Sequence, residues 1–292
     1  MHFTLTLRQF SYSLVVTVLL LAILSFAAGE LLSRPVRKSA GRVPQDIKIQ
    51  TVILQTLANQ SVSGWFIQGR QGQGAVLLLH GVRGHRLDML ERARFLNKAG
   101  YSVMLIDLPA HGESTGNRIS FGFHEAKGVT AALRYLTQQL PDEKIAIIGV
   151  SLGAASVVFA SMPAPPSAVV LESLFPSITE ALIDRLNLHM GVLGTYFAPL
   201  LLWQLPYKIG VSAKQLRPIA AISAIHAPVL IASGSKDQHT TRAETSRLFQ
   251  AANAPKELWI IKGAGHEDLH TFDRQIYETR ILIFLAKYMQ PH

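Results

Sequence analysis

Cysteine is absent from all 292 residues. That excludes disulfides, thiolate metal sites and a cysteine nucleophile, and it leaves the compartment undecided. Charge is scarce as well, with Asp, Glu, Lys and Arg making up 16% against 49% hydrophobic residues. So apolar a chain is neither a disordered tail nor a charged coiled coil. No repeat or low-complexity tract divides it. Acidic residues number 19 against 28 basic ones, for a formal net charge of +9. A nucleic-acid binder would carry a basic, aromatic-rich strip in its folded part, and none is visible, so no nucleic-acid partner is expected.

What is present begins with a long apolar run. Residues 10–28 hold no charge and centre on Leu14-Val15-Val16-Thr17-Val18-Leu19-Leu20-Leu21. As a helix rising about 1.5 Å per residue they would span roughly 28 Å, close to a bilayer core. Residues 1–45 are therefore expected to form a single-pass membrane anchor and basic linker, with membrane lipid as partner. One rival is a signal segment cut near Ser25-Phe26-Ala27, which would give a secreted form. The other is a buried core helix. Arg8 precedes the run, and Arg34, Arg37, Lys38 and Arg42 follow it. The positive-inside rule puts the rest of the chain in the cytoplasm, an export signal puts it outside, and the conflict stays open. These five basic residues could touch anionic head groups, or belong to an ordinary solvated surface.

Beyond residue 45, short apolar runs alternate with helical stretches. Strands are expected at 47–54, 64–67, 75–79, 102–106, 144–148, 168–172, 228–232 and 257–261, the first two as an antiparallel pair. Helices are expected at 87–99, 122–139, 152–161, 240–252 and 271–289. This alternation predicts a mostly parallel sheet covered on both faces, in one domain spanning 46–292. Glycines at 69, 72 and 74 precede a strand rather than open a helix, so a hairpin turn is expected there, not a phosphate loop. The stretch 174–224 is too long for a simple crossover. It carries helical segments at 178–188 and 193–205, the second apolar on more than one face, and reads as a lid insertion. An oligomer contact or a membrane-touching patch are the other readings, and oligomeric state is not legible.

The chemistry sits at strand ends. The run Ile145-Ala146-Ile147-Ile148 leads into Gly149-Val150-Ser151-Leu152-Gly153 and then a helical stretch. A serine on a sharp strand-to-helix turn has its hydroxyl pushed outward, and flanking glycines let backbone come close. Serine needs a base to become a nucleophile. Two further strand ends supply candidates, with Asp237 in Gly234-Ser235-Lys236-Asp237 and His266 in Lys262-Gly263-Ala264-Gly265-His266. His266 would take the Ser151 proton, and Asp237 would hold the imidazole tautomer. Glu172 and Asp184 are rival acids. Asp107 is expected to order the loop behind it, and His80 and His111, beside glycine turns, to be hydrogen-bonded structural residues. His266-Glu267-Asp268-Leu269-His270 spells the zinc motif His-Glu-x-x-His. That motif needs both histidines on one helix face and a third ligand. Here the first histidine follows a Gly-Ala-Gly loop, so no metal is expected.

Four blocks together, His80-Gly81, Asp107-Leu108-Pro109-Ala110-His111-Gly112-Glu113-Ser114, Gly149 to Gly153 and Gly263 to His266, resemble the α/β-hydrolase superfamily over about residues 47–290. The serine-hydrolase branch (esterases, lipases, serine aminopeptidases) is the one they look like. The resemblance implies an α/β-hydrolase fold with a helical lid and an oxyanion hole built from the backbone N–H of Leu152 and of Val82 in the loop after strand 75–79. It also implies cleavage of a carboxylic ester, of an apolar acyl substrate, through an acyl-enzyme without any cofactor. Peptide, amide or thioester cleavage would use the same groups. A catalytically silent binding protein at a membrane is the alternative from another class.

Overall fold

The computed structural model describes residues 7–289. The first six residues of the expected anchor segment and the last three of the expected domain lie outside the described residues. Helix α1 (Leu7–Ser33) opens the chain. Its stretch Gln9–Ser33 is the one helix, among the described residues, long and apolar enough to cross a membrane, and no residue of its most apolar window is buried in the protein.

Eight strands form one sheet. They are β2 (Gln50–Gln55), β3 (Ser61–Ile67), β4 (Ala75–Leu79), β5 (Ser102–Ile106), β7 (Ile145–Val150), β8 (Ala168–Glu172), β9 (Val229–Gly234) and β10 (Lys256–Ile261). Their spatial order is β10-β9-β8-β7-β4-β5-β3-β2, and only β3 runs against the others, pairing antiparallel with β5 and with β2. The strands β4, β5, β8 and β9 are buried along their whole length, which is why they read as unbroken apolar runs rather than alternations. Alternate side chains still choose opposite faces. Leu77 and Leu79 join one core with α3 (Ala126–Gln139), α4 (Leu152–Phe159) and α9 (Arg242–Ala251). Val76 and Leu78 join the other with α2 (Leu90–Lys98) and α11 (Arg274–Met289).

Between β8 and β9 the chain leaves the sheet for α5 (Ile178–Met190), α6 (Leu193–Leu202), α7 (Leu205–Ile209) and α8 (Pro218–Ala221). The helix expected over 193–205 is α6, which ends at Leu202, and α7 follows as a separate short helix. Leu205, Ile209, Val211 and Leu216 gather with Ile178 into a small core of their own, separate from those of the sheet. The short α10 (Leu269–Phe272) precedes α11.

Two sequence readings need correction. The glycine-rich stretch after β3 is not a hairpin. Its flanking strands β3 and β4 are not neighbours, because β5 lies between them. The Gly72 and Gly74 amides instead donate to the Glu143 carboxylate. Nor is the whole of residues 34–45 a linker outside the domain. Strand β1 (Val36–Arg37) pairs in parallel with β6 (His111–Gly112), the Ala40 amide donates to Glu113 at 3.1 Å, and Ala40 is buried. Backbone pairing across 75 positions of sequence leaves no periodic signal to read.

Candidate active site

The sheet changes winding direction at β4 and β7, and open α/β sheets bind ligands at the carboxyl ends of strands at such a point. Ser151 sits there, between the end of β7 and the start of α4. Its backbone has φ +49° and ψ −105°, a conformation that costs an L-residue of order 1–3 kcal/mol and persists only when its surroundings impose it. They do. The Ser151 amide donates to the Glu172 carbonyl at 2.8 Å, and Ala155 N–H donates back to the Ser151 carbonyl at 3.0 Å. Both glycines of the turn are obligatory. A Cβ at Gly149 would lie 2.7 Å from the Ala154 nitrogen, and one at Gly153 would lie 2.5 Å from the Leu79 oxygen.

Asp237 lies in the loop after β9 and His266 in the loop after β10, and the two loops interlock. The Lys236 amide donates to the Ala264 carbonyl, and Ser235 N–H to that of Ile261. Gly234 leaves no room for a side chain, since its Cβ would stand 2.3 Å from the Ala264 oxygen. The Asp237 carboxylate is fully covered. Its Oδ1 accepts the His239 and Thr240 amides at 2.8 and 2.9 Å, and its Oδ2 meets His266 Nδ1 at 2.9 Å. Burial alone would push the Asp237 pKa up. The His266 hydrogen bond and charge, with the two amides, outweigh it and hold the carboxyl below its ordinary range. Ionised Asp237 therefore fixes Nδ1 as the protonated nitrogen and leaves Nε2 as the acceptor. The Ser151 hydroxyl has no hydrogen-bond partner among the described residues, so Ser151 and His266 are not directly bonded in this structure.

Loop 80–84 runs over the serine turn. A Cβ at Gly81 would sit 3.8 Å from the Val150 oxygen and 3.9 Å from Ser151 Cβ. Val82, Ser151 and Leu152 border one cavity of about 200 Å³. Among the described residues, neither the Val82 nor the Leu152 amide donates to a backbone carbonyl. The rest of the cavity wall is mostly apolar, including Phe121, Phe175, Ile178, Leu182 and Leu201. Arg185 also faces it. Burial lowers the pKa of this guanidinium, and its hydrogen bond is to its own helix, at the Ala181 carbonyl.

The rival residues are engaged elsewhere. Glu172, wholly buried, is paired with Arg92 at 2.8 Å and bonded by Tyr277. Asp184 faces Glu244. Burial, followed by that neighbouring charge, raises its carboxyl to about 7. Asp107 accepts the Arg86 and Glu113 amides and the Arg86 guanidinium, and so ties down the loop behind it. His80 donates from Nδ1 to the Gly81 carbonyl and accepts the Leu108 amide at Nε2. Burial lowers its pKa to about 4. His111 bonds the Pro109 carbonyl, and burial, then the neighbouring His80, likewise lowers it to about 4. Of the two histidines in the zinc-like pentapeptide, His266 holds Asp237, whereas His270 lies on α10, stacks on Phe95 and bonds Glu278 at 2.9 Å. They do not share one helix face.

Sequence reasoning missed Arg92. Its guanidinium reaches Glu172, Tyr277 and, at 2.6 Å, Asp268. Glu172 supplies the carbonyl that holds Ser151, and Asp268 caps α10 two residues past His266. One buried cation thus ties the end of β8, which holds the Ser151 amide, to the histidine loop. A lone arginine in a predicted helix carries no mark of this, because its partners lie 80 and 176 positions away.

The chain matches the alpha/beta hydrolase family over residues 76–278, and it belongs to that family. A relative in Mycobacterium tuberculosis (strain ATCC 25618 / H37Rv), the uncharacterized protein Rv2307c, is 30% identical over 257 residues, covering 85% of each chain. The uncharacterized protein YqkD of Bacillus subtilis (strain 168) is 24% identical, over 80% of this chain and 78% of that one. Among solved structures, the Pyrococcus furiosus esterase Pf2001 superposes with a TM-score of 0.72 at 24% identity, covering 88% of this chain and 99% of that one. The esterase from Exiguobacterium antarcticum superposes with a TM-score of 0.61 at 15% identity, covering 81% and 100%. These likenesses carry the fold: a mostly parallel sheet, helices on both faces and a helical insertion.

Proposed function

We propose that this protein is a membrane-tethered serine hydrolase that cleaves a carboxylic ester with an apolar acyl group. Ser151 Oγ attacks the ester carbonyl while His266 Nε2 takes its proton. The Val82 and Leu152 amides receive the oxyanion, each such donor contributing about a hundred- to a thousand-fold in rate. His266 then gives the proton to the departing alcohol, leaving an acyl group on Ser151. Water, deprotonated by the same nitrogen, releases the acid and restores the serine. Asp237 keeps the imidazole in one tautomer throughout. The reaction requires no metal or organic cofactor.

The observation that carries this reading is the closed Asp237–His266 pair at the same sheet edge as a strained serine that borders an apolar cavity. Two kinds of support bear on ester rather than another acyl bond. The cavity wall is apolar, and fold neighbours of this chain include proteins named as esterases. The helix Gln9–Ser33 supports the tether. A fluorophosphonate probe and p-nitrophenyl esters of graded chain length test the proposal. The wild type is expected to label and to turn over esters, and Ser151→Ala to lose both, with turnover down by roughly four to six orders of magnitude. A wild type that neither labels nor hydrolyses any ester would favour the silent binding protein.

A further inference from the structure

The end of the apolar helix α1 is not a passive tether. Gly29, Leu32 and Ser33 form part of the wall of the cavity that holds Ser151. Several bonds fasten this end to the insertion and the domain. Gln204 Nε2 donates to the Ser25 carbonyl and hydroxyl at 3.0 and 2.9 Å. Glu30 pairs with Lys208 at 3.2 Å and with Arg118. The Ile119 amide donates to the Ser33 carbonyl at 2.7 Å. Gly29 leaves no room for a side chain, for a Cβ there would lie 2.5 Å from the Gln204 side chain.

Immediately beside this junction lies an uncovered aromatic cluster. Trp203 and Tyr207 are 69% and 76% exposed, with ring centroids 5.2 Å apart. Phe26, 61% exposed, lies under the Lys208 ammonium at 3.7 Å. Val192, Leu193 and Tyr196 extend the exposed apolar surface along α6. From residue 9 to residue 26, α1 covers about 27 Å, close to the thickness of a hydrocarbon core, which puts Phe26, Trp203 and Tyr207 at the level where aromatic side chains line the membrane boundary. The occupant of this surface is therefore the bilayer that α1 enters, because the exposed apolar patch is continuous with the spanning helix.

We infer that residues 25–33 of α1 and the insertion together form a mouth resting on the membrane, through which an acyl chain passes from the adjoining leaflet to Ser151. The substrate class is then an ester dissolved in the bilayer rather than one free in water. This rests on the tethered-hydrolase reading and goes beyond it, since a tether alone requires neither a helix end in the cavity wall nor a lid face in lipid.

Full-length protein in phosphatidylcholine vesicles tests it in two ways. Of the three tryptophans, Trp65 is buried and Trp259 half-buried, so brominated lipid should quench a component of the fluorescence that Trp203→Phe removes. Kinetically, the exposed double variant Trp203→Ser/Tyr207→Ser should lose about tenfold or more in kcat/KM on a vesicle-embedded long-chain ester, a loss of aromatic burial in lipid, while a water-soluble short ester stays within about twofold. Gly29→Leu should lower turnover of the long ester about tenfold more than that of the short one, as overpacking of one pocket wall would. Absence of Trp203 quenching, or equal losses on both esters, overturns the inference. A wild type quenched by brominated lipid but inert toward both esters and the fluorophosphonate overturns the hydrolase reading instead, leaving the membrane contact standing.

Discussion

The strand-end loops and the helical insertion stand on the same side of the protein and are held by different means. Around Ser151, Asp237 and His266 the backbone is locked by amide hydrogen bonds, by glycines with no space for a side chain, and by the buried Arg92 ion pairs. The insertion has one small core, and its outer face leaves Val192, Tyr196, Trp203 and Tyr207 open. On the proposed reading, reacting groups must be held to within fractions of an ångström, whereas an acyl pocket would need only a greasy surface of suitable volume. The first region is therefore closely bonded and polar at its root, and the second is apolar and open on its outer face.

Breaking the closely bonded region should have the largest effects. Asp237→Asn keeps the shape but lets Nδ1 become the acceptor, and a fall in ester kcat/KM of about 10³- to 10⁴-fold is expected, with KM little changed. Next comes Arg92→Met. It strands the Glu172 carboxylate, which is 0% exposed, and removes the tie between the end of β8 and the histidine loop. Denaturant unfolding should show a loss of about 3–5 kcal/mol. Little or no loss would show the two loops to be independent of that cation.

A gain is expected where that bonding stores strain. Ser151→Gly should abolish labelling by the fluorophosphonate and yet raise stability by about 1 kcal/mol, since glycine adopts φ +49° without cost. Urea midpoints of the two proteins decide it. A pH-dependent effect belongs to the insertion. Asp184 has its pKa raised to about 7 from an ordinary 3.8. A carboxyl that binds its proton more tightly when folded contributes stability below about pH 4 that is lost as pH climbs toward 7. Asp184→Asn should flatten the decline in Tm between those pH values. An unchanged slope would mean that the Asp184–Glu244 contact does not oppose ionisation.

Much of the sheet was legible because its strands are buried on both faces. The runs at 75–79, 102–106 and 168–172 were read at the ends that they have in the structure. Gly149 and Gly153 announced the turn that carries Ser151. The stretch 69–74 was misread as a hairpin because turn residues report a local bend and say nothing about which strand lies beside which.

From the chain alone came the alternation of strands and helices, the three candidate side chains in their order, and a span long enough for a bilayer, since periodicity, glycine placement and apolar length are local properties. Only folding decided that Asp237 meets His266, that Arg92 joins two distant loops, and that the end of α1 lines the cavity. Each of those depends on contacts between residues far apart in sequence, which shape and packing settle and no local pattern encodes.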